Sequence, residues 1–264
     1  LRAVALSEAN VLASLVSTAA PLLVGWFART ALGWRPALGL MALAPFILYA
    51  ALRERPGQTA STTAQPSATA NGPLPGLYWI YWAALVLGVS VEFCMVFWSA
   101  DFLETVRGLA KADAAQAVSL FLAGMILGRL VASRLVMRLT PTHVVLGSAV
   151  LGSLGFAAYW LVPNAVVSLI GLFLVGLGTA GLYPLTMSLA IGAAGPRVVQ
   201  ASARCTLASG VAISVLPLVL GRIADSLGIF TAYGVVALLM MGVFVIVALA
   251  GREQILTPSR RPSP

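Results

Sequence analysis

Long apolar runs separated by short polar connections dominate the chain. A helix that crosses a bilayer needs about 20 mostly apolar residues. Eight segments approach or exceed that length: 4–28, 35–52, 77–100, 115–137, 143–162, 165–191, 201–222 and 230–250. The second is the shortest, and Trp34 extends it. Transmembrane barrel strands would alternate apolar and polar side chains over about 10 positions, and runs such as 233–250 do not alternate. The pattern predicts an all-α polytopic membrane protein, a bundle of about eight transmembrane helices. One stretch interrupts it. Residues 53–76 are rich in Pro, Thr, Ser, Ala and Gly, a composition that buries too little surface to offset chain entropy and that predicts a flexible linker outside the bilayer.

Composition sharpens this reading. Of 264 residues, 60% are hydrophobic and 9% charged, with a mean hydropathy of +0.97. Soluble domains carry about 25% charged residues, so the polar skin of a soluble enzyme or DNA-binding module cannot be built from this chain. The net charge of +8 sets fifteen Arg and a single Lys, Lys111, scattered among apolar runs, against eight Asp and Glu. That distribution fits loops facing anionic lipid and not a nucleic-acid surface. Cys94 and Cys205 lie inside apolar runs without metal or redox spacing, and read as buried small hydrophobes. His143, beside Pro141 in a short polar connection, reads as a surface loop residue. No metal and no cofactor are expected. The chain opens on Leu1 without a basic n-region, so no signal peptide is read there and the native start is expected elsewhere.

Eight spans put both termini on one side. Arg53, Arg55, Arg134, Arg138, Arg197, Arg252, Arg260 and Arg261 fall on the side of the linker and tail, against Arg29, Arg35, Arg107, Lys111 and Arg222 opposite. This excess favours a cytoplasmic linker and tail. Trp26, Trp34, Tyr78, Trp79, Trp98 and Trp160 fall near span ends, as an aromatic belt requires.

Charged side chains inside the spans are the candidate functional groups, because each costs about 3 kcal/mol or more at mid-helix unless it faces a cavity or a partner. Glu92 lies deep in the third span, with Gly88, Met95, Val96 and Ser99 on its face at helical spacing. Proton coupling or substrate binding is the functional reading, and pairing with one Arg the structural one. Arg204 enters the seventh span beside Cys205 and Thr206. It either binds an anionic substrate bidentately or snorkels to the surface. Glu8 and Asn10 in the first span are weaker binding or coupling candidates, and Tyr183 beside Pro184 is a candidate to hydrogen-bond substrate at a helix break. Asp101 and Glu104 read as solvated loop residues at the outer mouth, Asp225 and Arg222 as a span end. Gly124 and Gly128, like Gly171, Gly176 and Gly181, read as close helix contacts.

The chain also carries an internal repeat. At an offset of 196 the first span lies on the seventh, so that Glu8 meets Arg204, Asn10 meets Thr206, Pro21 meets Pro217 and Gly25 meets Gly221. Duplicated bundles of this kind are common in transporters. Three further segments point the same way: GRLVASRLVMRLTP at 128–141, GLGTAGLYPLTMSLA at 176–190 and ADFLETVRGLAKADAA at 100–115. In order and spacing the chain resembles the major facilitator superfamily, whose members join two six-helix halves by a cytoplasmic loop. The resemblance implies helices five to twelve of that fold. Residues 1–52 would be the last two helices of the N-terminal half, 53–76 the linker, 77–252 the six-helix C-terminal half and 253–264 a cytoplasmic tail. Gly128, Arg129, Arg134 and Arg138 would form the cytoplasmic signature after the eighth helix, with Arg129 snorkelling. Met137 stands where that signature usually has an acidic residue before its second Arg, so the family's gating salt bridge does not transfer to this loop. About 130–150 further residues would precede the chain, enough for four spans, and the chain alone would lack one wall of the cavity and not transport.

The expected function is secondary active transport of a small solute by alternating access, coupled to protons through Glu92, in the plasma (inner) membrane. A monomer contacting a small-molecule substrate, protons and membrane lipid is expected, with no nucleic acid. The alternatives are an intramembrane enzyme or a channel-like protein. The chain has no Gly-x-Ser-x-Gly with a His in a later span, no His and Glu cluster and no filter-like repeat, so an enzyme is not expected. Neutral or moderately apolar solutes such as drugs, sugars and small organic acids fit the sparse internal charge.

Overall fold

The computed structural model describes residues 22–30, 33–53 and 72–256. Glu8, Asn10, Pro21, most of the linker and the end of the tail lie outside them. Helical residues 22–28 are followed by α1 (Arg35–Arg53), α2 (Gly76–Thr105), α3 (Lys111–Leu135), α4 (Pro141–Leu161), α5 (Ala165–Thr179), α6 (Leu182–Ala193), α7 (Val198–Leu227), the single turn α8 (Ile229–Ala232) and α9 (Gly234–Leu256). Six spans among the described residues are long and apolar enough to cross a membrane, with α5 and α6 together forming one. The protein is an all-α, multi-pass helical membrane protein.

Local chemistry sets the helix ends. Thr140 caps α4 by accepting from the His143 backbone N–H, and Pro141 takes the first helical position, where no amide partner is needed. His143 is therefore an exposed residue of the first turn of α4 and not of a loop, and its Nδ1 lies 2.6 Å from the Thr140 hydroxyl. Asn164 caps α5 in the same way, accepting from Val167 N–H at 3.1 Å. α7 ends at Gly228, whose φ of 83° is open to glycine alone among ordinary residues. Helix α2 continues to Thr105, so Asp101 and Glu104 sit on its last turns, not in a long outer loop as the sequence reading has it. The apolar run simply stops before the helix does.

Two prolines shape the longer spans. Pro184 has no N–H, and α5 gives way to α6 at Ala180 and Gly181, just before Tyr183. Pro217 lies inside α7, and its carbonyl accepts the Trp98 indole N–H at 2.9 Å. Trp98 rests where a Cβ on Gly221 would stand, 2.5 Å from its ring. Gly25, the repeat partner of Gly221, holds the Gln116 side chain of α3 in the same manner. Both repeat glycines thus admit a side chain from the adjoining helices.

Helices α3, α4 and α5 pack backbone to backbone. A Cβ on Gly176 would lie 2.0 Å from the Phe121 carbonyl oxygen, one on Gly124 2.3 Å from that of Phe173, and one on Gly178 2.2 Å from the Gly152 nitrogen. Between lipid-solvated helices such close approach replaces the missing hydrophobic drive with van der Waals contact. At the end of the bundle where α2 and α4 finish, Phe102, Phe156, Tyr159 and Tyr233 form a buried aromatic cluster, with Phe102 to Tyr159 at 4.7 Å and Phe102 to Tyr233 at 4.9 Å between centroids. Cys94 and Cys205 are buried with free thiols, as read from sequence. Tyr78 is fully buried and donates to the Ala201 carbonyl at 3.0 Å, so it belongs to the core and not to the aromatic belt.

Arg107, in the short connection between α2 and α3, ties that end together. Its Nε donates to the Ser168 hydroxyl at 2.7 Å, and its terminal nitrogen donates to the Tyr159 and Trp160 carbonyls at 3.0 and 2.8 Å. The guanidinium also stands 5.0 Å from the Phe102 ring centroid. The two carbonyls belong to the last turn of α4, which has no intrahelical donors for them and favours a cation. Burial pulls the Arg107 pKa down from its ordinary range. Arg107→Ala should destabilise the protein by about 2–3 kcal/mol, the scale of charged hydrogen bonds lost at one site. Arg107→Lys should recover only part of this, because an ammonium cannot reproduce the fork. Thermal unfolding in detergent reads the effect, and an unchanged midpoint for Arg107→Ala would remove the staple from the account.

Candidate functional site

Glu92 lies midway along α2 with its side chain 17% exposed, and Arg129 of α3 approaches it to 3.9 Å. The sequence reading has Arg129 snorkel within the signature of 128–141, and Arg129 is exposed while it also reaches Glu92. The Gly128 position lets α3 press onto the break between α5 and α6, where a Cβ would meet the Leu177 carbonyl oxygen at 2.4 Å and the Ala180 Cβ at 2.6 Å. That close seating sets the facing of the next residue, Arg129, toward α2. Arg129 remains 41% exposed, so the pair joins a secluded carboxyl to a more open guanidinium. At about 4 Å and an effective dielectric near 20, two such charges attract by about 4 kcal/mol before desolvation is counted.

Buried polar groups continue from Glu92 toward the C-terminal end of α2. Ser99, two turns along α2, is fully buried and bonds back to the Met95 carbonyl. The Tyr159 hydroxyl donates to the Ser99 carbonyl oxygen at 3.2 Å. On the Glu92 face Gly88 makes room for Leu182 of α6, whose Cβ would stand 3.3 Å from an added methyl. The face that carries the acid therefore meets both α3 and the broken span.

The other candidates lie elsewhere. Arg204 is exposed, with its guanidinium 5.5 Å from the Trp79 ring centroid. Its backbone carbonyl accepts from the Trp82 indole at 3.3 Å. Trp82 precedes Glu92 by ten residues, about 15 Å along a helix axis, so the structure does not bring Arg204 and Glu92 into one site. Tyr183 is half-buried at the start of α6 and packs against the cluster containing Tyr78, Tyr81 and Leu85. Arg134 and Arg138 are exposed at the end of α3 and just beyond it, and Met137 is 72% exposed between them. Arg29, just after helical residues 22–28, forms an ion pair with Asp113 in the first turn of α3. Among the described residues no group of three or more His, Cys, Asp or Glu is placed to hold a metal ion.

Sequence reasoning did not find two features. Nothing in the spacing marks Arg107 as the staple of three helices. The pairing of Glu92 with Arg129 was open only as pairing with some Arg, since their separation of 37 residues says nothing of which helices touch.

Comparison with known proteins identifies a family. The family described as the Major Facilitator Superfamily matches residues 1–198. An uncharacterized MFS-type transporter of Yersinia pestis is 32% identical over 156 residues, covering 58% of this chain and 40% of the relative. The crystal structure of FucP, a Major Facilitator Superfamily transporter in the outward conformation, shares the fold with a TM-score of 0.61 at 20% identity, over 66% of this chain and 42% of that one. The chain spans about two-fifths of the length of these relatives.

Proposed function

The chain belongs to the major facilitator superfamily, and from that premise we propose that the protein is a proton-coupled secondary transporter of a small solute, working by alternating access. Residues 1–52 and 77–252 then contribute to two halves joined by the linker at 53–76. The linker and tail face the cytoplasm in this reading, and the protein acts as a monomer in the plasma membrane.

What carries the proposal is Glu92, a carboxyl secluded inside a membrane span and held opposite Arg129 at 3.9 Å. Acids at that depth are rare and paired, and they mark proton relays in pumps and transporters. When Glu92 takes a proton, the attraction to Arg129 is switched off and the contact of α2 with α3 loosens. When it releases the proton, the pair re-forms. A two-state rearrangement biased by that change, and by substrate, exchanges a proton for access from one side to the other. Tyr183 at the break between α5 and α6 is proposed to contact substrate, because broken spans free backbone groups in such proteins. Scarce internal charge favours neutral or moderately apolar solutes.

The test is uptake into proteoliposomes carrying the protein expressed from its native gene, against a panel of sugars, small organic acids and apolar drugs. An imposed pH gradient should drive at least one solute uphill, and a protonophore should abolish the accumulation. Equilibration to equal concentrations, unaffected by the gradient, would make the protein a channel or facilitator.

A further inference from the structure

Helices in this molecule meet by two kinds of contact. Within the bundle α3, α4 and α5 touch backbone to backbone, and nothing there can step aside. Helical residues 22–28 meet α3 through side chains. Gly25 is buried, and a Cβ on it would overlap Cγ and Cδ of Gln116, so the Gln116 side chain lies in the notch that the glycine leaves. Four residues after Gly25, Arg29 forms its ion pair with Asp113. Asp113 and Gln116 are three residues apart at the start of α3, and so share one face of it.

This contact is specific and yet separable. Its two charges are 53% and 50% exposed, and ion pairs open to water contribute little. Each charge also suits its place without the other. Asp113 lies in the first turn of α3, where the helix dipole favours an anion, and Arg29 directly follows helical residues 22–28, where it favours a cation. The Gln116 side chain can leave its notch by a change of rotamer. The position is equally telling. The linker at 53–76 leads directly into α2, and one crossing carries the chain to the opposite side, where α2 ends and α3 begins. The contact therefore lies at the end of the molecule away from the linker.

We infer that Arg29 and Asp113, with Gln116 in the Gly25 notch, form a releasable latch between the two halves on the side away from the linker. The latch is closed while the substrate site opens toward the linker side, and it parts when the site opens the other way. Rigid-body rearrangements repack interface ion pairs and side chains in this manner while packed cores move as units. The inference rests on the alternating-access reading, in which residues 1–52 and 77–252 belong to different halves. Every group of the latch is contributed by this chain.

Paired cysteines test the latch in the protein expressed from its native gene. Arg29→Cys combined with Asp113→Cys should form a disulfide on oxidation, and counterflow of labelled against unlabelled solute should then fall to the level of empty vesicles. Reduction should restore it, and neither single variant should respond to the oxidant. A disulfide that forms while counterflow continues at its former rate overturns the latch, and so does failure of the pair to close. Counterflow needs alternating access but no proton coupling, so a failure of the role assigned to Glu92 leaves this result readable. Spin labels on the same two cysteines give a readout that needs no transport. Two distances are expected, one close and one apart, in proportions that shift between acid and alkaline pH or on adding solute. A single distance under all these conditions overturns the latch even where oxidation stops counterflow. Wild-type protein that exchanges no solute refutes the transport reading instead, and the distances alone then decide the latch.

Discussion

Glu92→Gln should abolish proton-driven accumulation while leaving substrate exchange and binding largely intact. The amide copies the size and hydrogen-bonding reach of a protonated carboxyl but can neither take up nor release a proton. One pH unit across the membrane is worth 1.36 kcal/mol per proton, so each coupled proton supports about tenfold accumulation per unit. The variant should fall to a ratio of about one at every gradient, and counterflow of labelled against unlabelled substrate should continue. Arg129 loses the Glu92 carboxylate in that variant, but at 41% exposure its guanidinium reaches water, so folding is preserved. Arg129→Gln should do the reverse, leaving a carboxyl without its cation and shifting the pH dependence of uptake. Normal accumulation by Glu92→Gln at every pH would make the carboxyl structural.

Gly176→Leu should not yield a folded protein. The Cβ alone would fall 2.0 Å from the Phe121 carbonyl oxygen and 2.9 Å from its carbon, and backbone cannot step aside as a side chain can. Even Gly176→Ala forces α3 and α5 apart and should cost about 3 kcal/mol, the upper range for overpacking. Gly147 supplies the contrast within the same bundle. It is exposed on α4, and an added Cβ there meets nothing within 4 Å. Gly147→Ala should therefore be neutral or stabilising by up to about 1 kcal/mol, through helix propensity alone. Size-exclusion profiles and thermal unfolding in detergent read both. A monodisperse, thermally normal Gly176→Leu would mean that α3 and α5 do not meet as described.

The span pattern was legible because lipid imposes a simple rule: an apolar run of sufficient length must be a helix. The six spans from Gly76 to Gly251 follow the runs at 77–100 through 230–250 closely. Misplacements occur at ends, where hydropathy and backbone part company. Asp101 and Glu104 lie on the last turns of α2, past the end of the run at 77–100, and His143 lies in the first turn of α4, which starts at Pro141. Glycines at 124, 128, 171 and 176 were legible as contacts, because small residues in lipid-facing helices have few other uses. Their partners were not. Which helix faces which depends on contacts between residues far apart in sequence, and the same gap hid Arg129 from Glu92 and Arg107 from the end of α4. Tyr78 shows the remaining weakness: an aromatic ring near a span end satisfies the belt pattern equally well when it is buried and bonded to Ala201.

In the proposed mechanism protons cross with substrate by way of Glu92, and the proton itself can be counted. Lightly buffered proteoliposomes with a pH dye inside, loaded with a transported solute and diluted into solute-free medium, report proton movement driven by substrate leaving down its own gradient. Wild-type protein should move protons in fixed proportion to solute, and Glu92→Gln should release solute with no change of internal pH. Proton movement of wild-type size in Glu92→Gln would rule out Glu92 as the coupling carboxyl.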